Sequence, residues 1–122
     1  MNIHNYWSAV LNQNAEAMRS FFHPDARINW HNTNESFTAE EFIRVNCDYP
    51  GSWAGEIEKT VTTENQIITA VHVHTRDSRA HFHVTSFLTI QDGQIRSMDE
   101  YWGEDGSVPQ WRRELGIGRP IK

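Results

Sequence analysis

The sequence predicts an α+β domain in which a curved antiparallel sheet wraps around N-terminal helices and leaves a conical cavity at one end. Three observations carry this expectation. Apolar residues recur at helical spacing as far as about Cys47, the period changes to strand-like alternation beyond Trp53, and the alternating segments are joined by short turn-like connections. A chain of 122 residues has room for one core and not for two, so a single domain over 1–122 is expected.

Each element follows in order. Tyr6, Trp7, Val10 and Leu11 share a helical face, as do Ala15, Met18, Phe21 and Phe22, with a break at Asn14 between the two groups. Pro24 closes the helical stretch, because the residue before proline avoids the helical region, and Ala26 to Trp30 then alternates like a short strand. Thr38-Ala39-Glu40-Glu41 is a capping-box sequence that starts a helix through Phe42, Ile43 and Cys47, ended by Pro50-Gly51. The segments Ile57–Thr63, Gln66–Thr75, Ala80–Ile90 and Gln94–Trp102 are rich in Val, Ile, Thr and aromatic residues and read as a four-stranded meander. The glycine-rich stretch 103–122, around Trp111 and Leu115, reads as an ordered tail packed on the body.

Composition narrows the function classes. Sixteen acidic against eleven basic residues give a net charge of −5, and no basic cluster exceeds Arg112-Arg113, so neither nucleic acid nor an anionic membrane is an expected partner. Cys47 is the lone cysteine, and no leader or spanning apolar run occurs. A soluble, cytoplasmic protein is the expectation. No Gly-x-Ser-x-Gly elbow is present to support serine hydrolase chemistry.

The run Ala15-Glu16-Ala17-Met18 through Phe22-His23-Pro24-Asp25-Ala26, the capped helix at Thr38, and Asp92-Gly93-Gln94-Ile95 through Asp99-Glu100-Tyr101-Trp102 resemble the nuclear transport factor 2 (NTF2)-like superfamily, in its SnoaL-like branch. The resemblance spans roughly residues 3 to 103. It implies the cone-shaped fold and leaves activity open, because the superfamily includes ketosteroid isomerase, limonene epoxide hydrolase, scytalone dehydratase, polyketide cyclases and non-enzymatic domains. It also implies a pocket carboxylate at Glu100, by likeness to the epoxide hydrolase, and a pocket tryptophan at Trp102, by likeness to the isomerase. The position closest to the isomerase's acidic proton donor is Ser86, which is not an acid.

Strand alternation then sorts the candidate site residues, subject to two loop lengths. If Asp92-Gly93 lies in a three-residue loop, Phe82, Val84, Ser86 and Leu88 share a face with Glu100 and Trp102; a two-residue loop would put Glu100 beside His83 and Thr85. A two-residue Asp77-Ser78 loop clusters His72, His74, His81 and His83 opposite the apolar face. A three-residue loop would instead bring His72 and His74 inside with Glu100, as the epoxide hydrolase pattern implies. On that inward reading Glu100, His72 and His74 are the candidate catalytic groups. Trp30, Phe82, Val84, Ser86 and Trp102 are the candidate ligand-binding residues.

A desolvated carboxylate beside imidazoles supports general acid and base chemistry without a cofactor. Two histidines and a carboxylate also form a recognisable iron-site set, but the loose spacing speaks against a metal, and none is expected. The expected partner is a small, largely apolar metabolite, to be turned over by an isomerase, dehydratase, cyclase or hydrolase, or simply held. A homodimer through the outer sheet face is expected from Thr85, Phe87, Thr89 and Tyr101.

Overall fold

Two asparagines organise the N-terminal helices. The computed structural model describes residues 1–122 and places α1 at Ile3–Leu11 and α2 at Ala15–Arg19. The Asn2 side chain caps the first by accepting from the Asn5 amide at 2.9 Å, and Asn14 caps the second by accepting from Ala17 at 3.1 Å. The expected break at Asn14 is therefore a helix start. Strand β1 (Phe22–Trp30) begins two residues before Pro24, earlier than expected. It is followed by β2 (Glu35–Thr38), a strand the sequence did not announce because Phe37 is its only buried residue.

Helix α3 (Ala39–Asp48) starts from the predicted capping box, with Thr38 accepting from the Glu41 amide and Glu41 accepting from the Thr38 amide. The remaining strands are β3 (Trp53–Thr62), β4 (Gln66–Thr75), β5 (His81–Gln91) and β6 (Gln94–Glu104), all antiparallel to their sequence neighbours. The sheet order is β2-β1-β6-β5-β4-β3, with β1 lying parallel to β6. This is the expected α+β cone: one curved, unclosed sheet with the helices on its concave face. Buried residues of that face, among them Ile28, Val71, Val84, Leu88 and Met98, pack against Tyr6, Trp7, Met18, Phe42 and Ile43 of the helices. Trp7 donates its indole N–H to the buried Thr69 hydroxyl at 3.2 Å, so this polar group inside the sheet is satisfied.

Two connections decide which side chains face the cone. Asp92 and Gly93 both have positive φ, at 54° and 76°, and form a two-residue hairpin turn that pairs Gln91 with Gln94. The ladder then shifts between Thr89 and Ile90, leaving Arg96 as an extra residue in β6, and from there Ser86 pairs with Glu100 and Val84 with Trp102. The pairing expected of a three-residue loop is reached by a tighter turn plus a bulge. Between β4 and β5 the loop Arg76–Arg79 holds four residues, the same parity as a two-residue loop, so His72 pairs with His83 and His74 with His81 on the outer face.

One glycine is placed by close approach. A Cβ on Gly55 in β3 would lie 2.6 Å from the His72 carbonyl oxygen and 3.3 Å from Leu11 Cδ1, which leaves room for no side chain. The tail departs from expectation. Residues 103–122 are all exposed, α4 (Gln110–Arg113) buries nothing, and Trp111 and Leu115 project into solvent instead of packing on the body. Six glycines or prolines between 103 and 109 and after 115 interrupt any amphipathic face long enough to dock. No helix is long and apolar enough to cross a membrane.

Candidate functional site

The register around Glu100 builds the centre of the cone. Trp30 pairs with Glu100 across the parallel β1–β6 ladder and Ser86 pairs with it across β5–β6, so three side chains stand abreast on one face. Trp30 Nε1 donates to Glu100 Oε1 at 2.9 Å and the Ser86 hydroxyl donates to Oε2 at 2.6 Å. Glu100 is only 1% exposed. Burial pushes its carboxyl up from the ordinary value, and the two donors that bond it, the Ser86 hydroxyl and the Trp30 indole N–H, pull it back in part, helped by the Trp102 indole N–H, which faces it from beyond hydrogen-bond distance. Its negative charge, after burial itself, helps push the enclosed Tyr6 phenol well above its usual range. The Trp102 indole N–H is the one buried side-chain polar atom that finds no hydrogen-bond partner.

In front of this carboxylate lies a cavity of about 200 Å³. Its wall is an arc of rings in mutual contact: Trp30 to Trp102 at 6.4 Å, Trp102 to Phe82 at 6.1 Å, Phe82 to Trp53 at 6.1 Å and Trp53 to Tyr49 at 5.7 Å between centroids. Val10 and Leu11 of α1 close the side opposite the sheet, and Gln13, Asn32, Thr33 and Asn46 form the polar edge. Asn46 donates to the Val10 carbonyl, and Gln13 donates to the carbonyls of Asn46 and Tyr49, which fixes the two helix ends around the mouth. Asn32 exchanges two hydrogen bonds with the backbone of Trp102, accepting from its amide at 2.6 Å and donating to its carbonyl at 2.5 Å. A side-chain amide thus imitates one more step of the ladder and holds the 31–34 loop at the rim.

The predicted site residues therefore divide. Trp30, Phe82 and Trp102 line the cavity; Val84 and Ser86 lie on the same face but are buried behind it, as is Glu100. His72 and His74 are not with them. The even loop between β4 and β5 turns both to the outer face, so the grouping of Glu100 with these two imidazoles is corrected by the register. Sequence reasoning missed Val10, Leu11, Gln13, Asn46, Tyr49 and Trp53 as cavity residues. Tyr49 and Trp53 flank Pro50-Gly51, and an aromatic pair around a helix-ending turn was the available signal. Cys47 is half-buried beside Met18, and burial pushes its thiol up, away from nucleophile chemistry.

A family model, the SnoaL-like domain, matches residues 3–98. The chain belongs to the SnoaL-like family. Solved NTF2-like structures share the architecture of this SnoaL-like domain. A protein from Kribbella flavida assigned to the ketosteroid isomerases superposes with TM-score 0.81 at 21% identity, covering 98% of this chain and 88% of its own. An NTF2-like protein from Burkholderia xenovorans gives TM-score 0.79 at 15% identity, covering 97% and 91%. An epoxide hydrolase of the LEH-like type from M. tuberculosis gives 0.68 at 11%, covering 83% and 79%. At these identities the likeness of this SnoaL-like domain to its neighbours speaks for the fold alone. No curated protein sequence matches it.

Proposed function

We propose that this SnoaL-like domain binds a small, largely apolar molecule in the aromatic cavity. The observation that carries the reading is the arc from Trp30 to Tyr49 around about 200 Å³ of space with only four polar residues at its edge. A dry apolar cavity of about 150 Å³ accommodates benzene, so a single-ring molecule fits here. In this reading Glu100 is a positioning residue: it anchors the Trp30 indole from behind and so sets the shape of the wall. Single-ring terpenoid alcohols, ketones and epoxides are the probes. With Trp30, Trp53 and Trp102 on the cavity wall, a bound probe is expected to give saturable quenching of tryptophan fluorescence. Val10→Trp, which puts an indole into the same space, is expected to abolish the response while the fold is kept. No saturable response to any probe would end this reading.

Turnover is the second reading, and the unpartnered Trp102 N–H favours it. Both groups are closed off behind the wall, so a ligand oxygen would reach that N–H only after the Trp102 ring turns, and would then sit next to a carboxyl whose proton affinity is raised, the arrangement needed for cofactor-free acid and base catalysis. Binding retained and product formation lost in Glu100→Gln would separate catalysis from binding.

The cytoplasm remains the expected location. Assembly is proposed to be a homodimer through the outer face of β5 and β6. Tyr101 is 47% exposed there, stacked on His31 at 4.4 Å and edge-on to Phe87 at 6.0 Å, a flat aromatic patch suited to burial by its own copy. Light scattering at micromolar concentration is expected to return twice the chain mass, and Tyr101→Asp to shift it toward one; a parental monomer would refute the dimer.

A further inference from the structure

Three of the four histidines that the register sends outward, His72, His74 and His81, make hydrogen bonds that select one tautomer of each neutral ring, while His83 pairs with Asp105 and Glu58. His74 Nδ1 lies 2.9 Å from the Thr75 carbonyl oxygen, and His81 Nε2 lies 3.0 Å from the Ser78 carbonyl oxygen. A carbonyl only accepts, so these nitrogens carry the protons, and His74 Nε2 and His81 Nδ1 carry lone pairs. His72 Nε2 lies 3.0 Å from His81 Nδ1 and must donate to it, which leaves the lone pair of His72 on Nδ1. The two remaining lone pairs converge on one side chain. His72 Nδ1 is 3.4 Å from Glu56 Oε2, and His74 Nε2 is 3.4 Å from Glu56 Oε1.

In their neutral forms His72 and His74 thus aim two lone pairs at a carboxylate with no donor among the three groups, an arrangement that a metal ion bound between them would satisfy. We propose that Glu56, His72 Nδ1 and His74 Nε2 bind one divalent transition-metal ion of the zinc type. The three ligand atoms lie within 4.8 Å of one another. Ligands about 2.0–2.1 Å from a tetrahedral zinc ion are separated by about 3.4 Å, the spacing of each imidazole nitrogen from its own Glu56 oxygen. Both histidines come from β4 at alternate positions, and Glu56 faces them from the paired position on β3. Ligating histidines characteristically give their second N–H to a carbonyl or a neighbouring acceptor, which Thr75 and His81 supply here. The Glu56 side chain is 63% exposed, so it can close on the ion and leave a fourth position to water. This site is on the opposite face from the cavity and stands independently of what the cavity binds.

The test is titration of the full chain with cobalt(II), followed by visible absorption, and with zinc against a chromogenic chelator. One equivalent is expected to bind, with ligand-field bands of a low-coordinate cobalt site. Glu56→Gln and His74→Gln are each expected to weaken binding at least about tenfold, and His81→Gln, which frees His72 Nε2 from its partner, by about tenfold. Circular dichroism is expected to show each variant folded, since none of these side chains is in the core. Binding that survives both Glu56→Gln and His74→Gln, or no binding at all, overturns the proposal. So does a loss seen in Asp105→Asn alone, which would move the ion to the neighbouring group of His72, His81 and Asp105.

Discussion

Replacing Glu100 by alanine is expected to destabilise the domain by about 2–5 kcal/mol at acidic to neutral pH, and replacing it by glutamine to leave stability near that of the parent. The difference comes from what each substitution strands. Alanine leaves the Trp30 indole N–H and the Ser86 hydroxyl buried with no acceptor, at about 1–3 kcal/mol for each unsatisfied group. Glutamine keeps an oxygen for Trp30 and offers its amide to the Ser86 oxygen. It also removes a charge that is costly to bury.

The pH dependence has a definite sign. Burial raises the folded carboxyl above its ordinary value of 4.5, so the folded chain holds this proton more tightly than the unfolded chain. The contribution of Glu100 to stability is therefore greatest below about 4.5 and declines as pH rises through the window up to the raised folded value. Urea denaturation across that window is expected to show the parent losing stability relative to Glu100→Gln as pH rises. Parallel curves would mean that the carboxylate is not held out of water.

The second large effect is expected at Trp30. Its ring packs edge-on against Phe37 at 5.1 Å, Phe42 at 6.1 Å and Trp102 at 6.4 Å, and its N–H anchors Glu100. Trp30→Ala removes the ring, the donor and one end of the cavity wall, and about 3–5 kcal/mol is the expected loss. For a domain whose whole stability is on the order of 5–15 kcal/mol, that leaves little. Trp30→Phe separates the contributions: it keeps a ring among Phe37, Phe42 and Trp102 but deletes the donor, so Glu100 should bind its proton still more tightly. The parent-to-Phe change is then expected to grow with pH, whereas the parent-to-Ala loss is large throughout. Chemical denaturation with the midpoint read at two pH values distinguishes them, and a Trp30→Ala chain as stable as the parent would show that the wall is not part of the core.

The inward placement of Glu100 and Trp102 was legible through the family resemblance, since the residue types alone left two lengths open for the Asp92-Gly93 loop. Asp92-Gly93 marks a hairpin, and only one pairing of β5 with β6 puts Val84, Ser86 and Leu88 together with Met98, Glu100 and Trp102. The bulge at Arg96 that produces this pairing was not legible, since its only trace is two half-buried residues in succession, Arg96 and Ser97, within an alternating strand. Between β4 and β5 the same reasoning lacked a fixed point. Arg76, Asp77, Ser78 and Arg79 all suit a loop, so its parity, and with it the side taken by four histidines, could not be counted from the residue types. Cavity residues from the helices were hidden for a different reason. Val10 and Leu11 have the spacing of core residues, and which core residues border an empty space depends on how two layers meet.

Gly55 ties the two faces of the sheet to one backbone position. Its missing side chain lets β3 lie against the His72 carbonyl while Leu11, part of the cavity lining, presses on it from within. Any larger residue must push the edge strand outward, and the next residue along that strand is Glu56, paired with His72. The inner and outer chemistries of this sheet are consequently not free to diverge one at a time at this edge. A variant that gained cavity space by widening the gap between β3 and α1 would carry Glu56 away from both imidazoles in the same step, so selection or design for a new ligand would be felt as altered affinity for a cation on the far side.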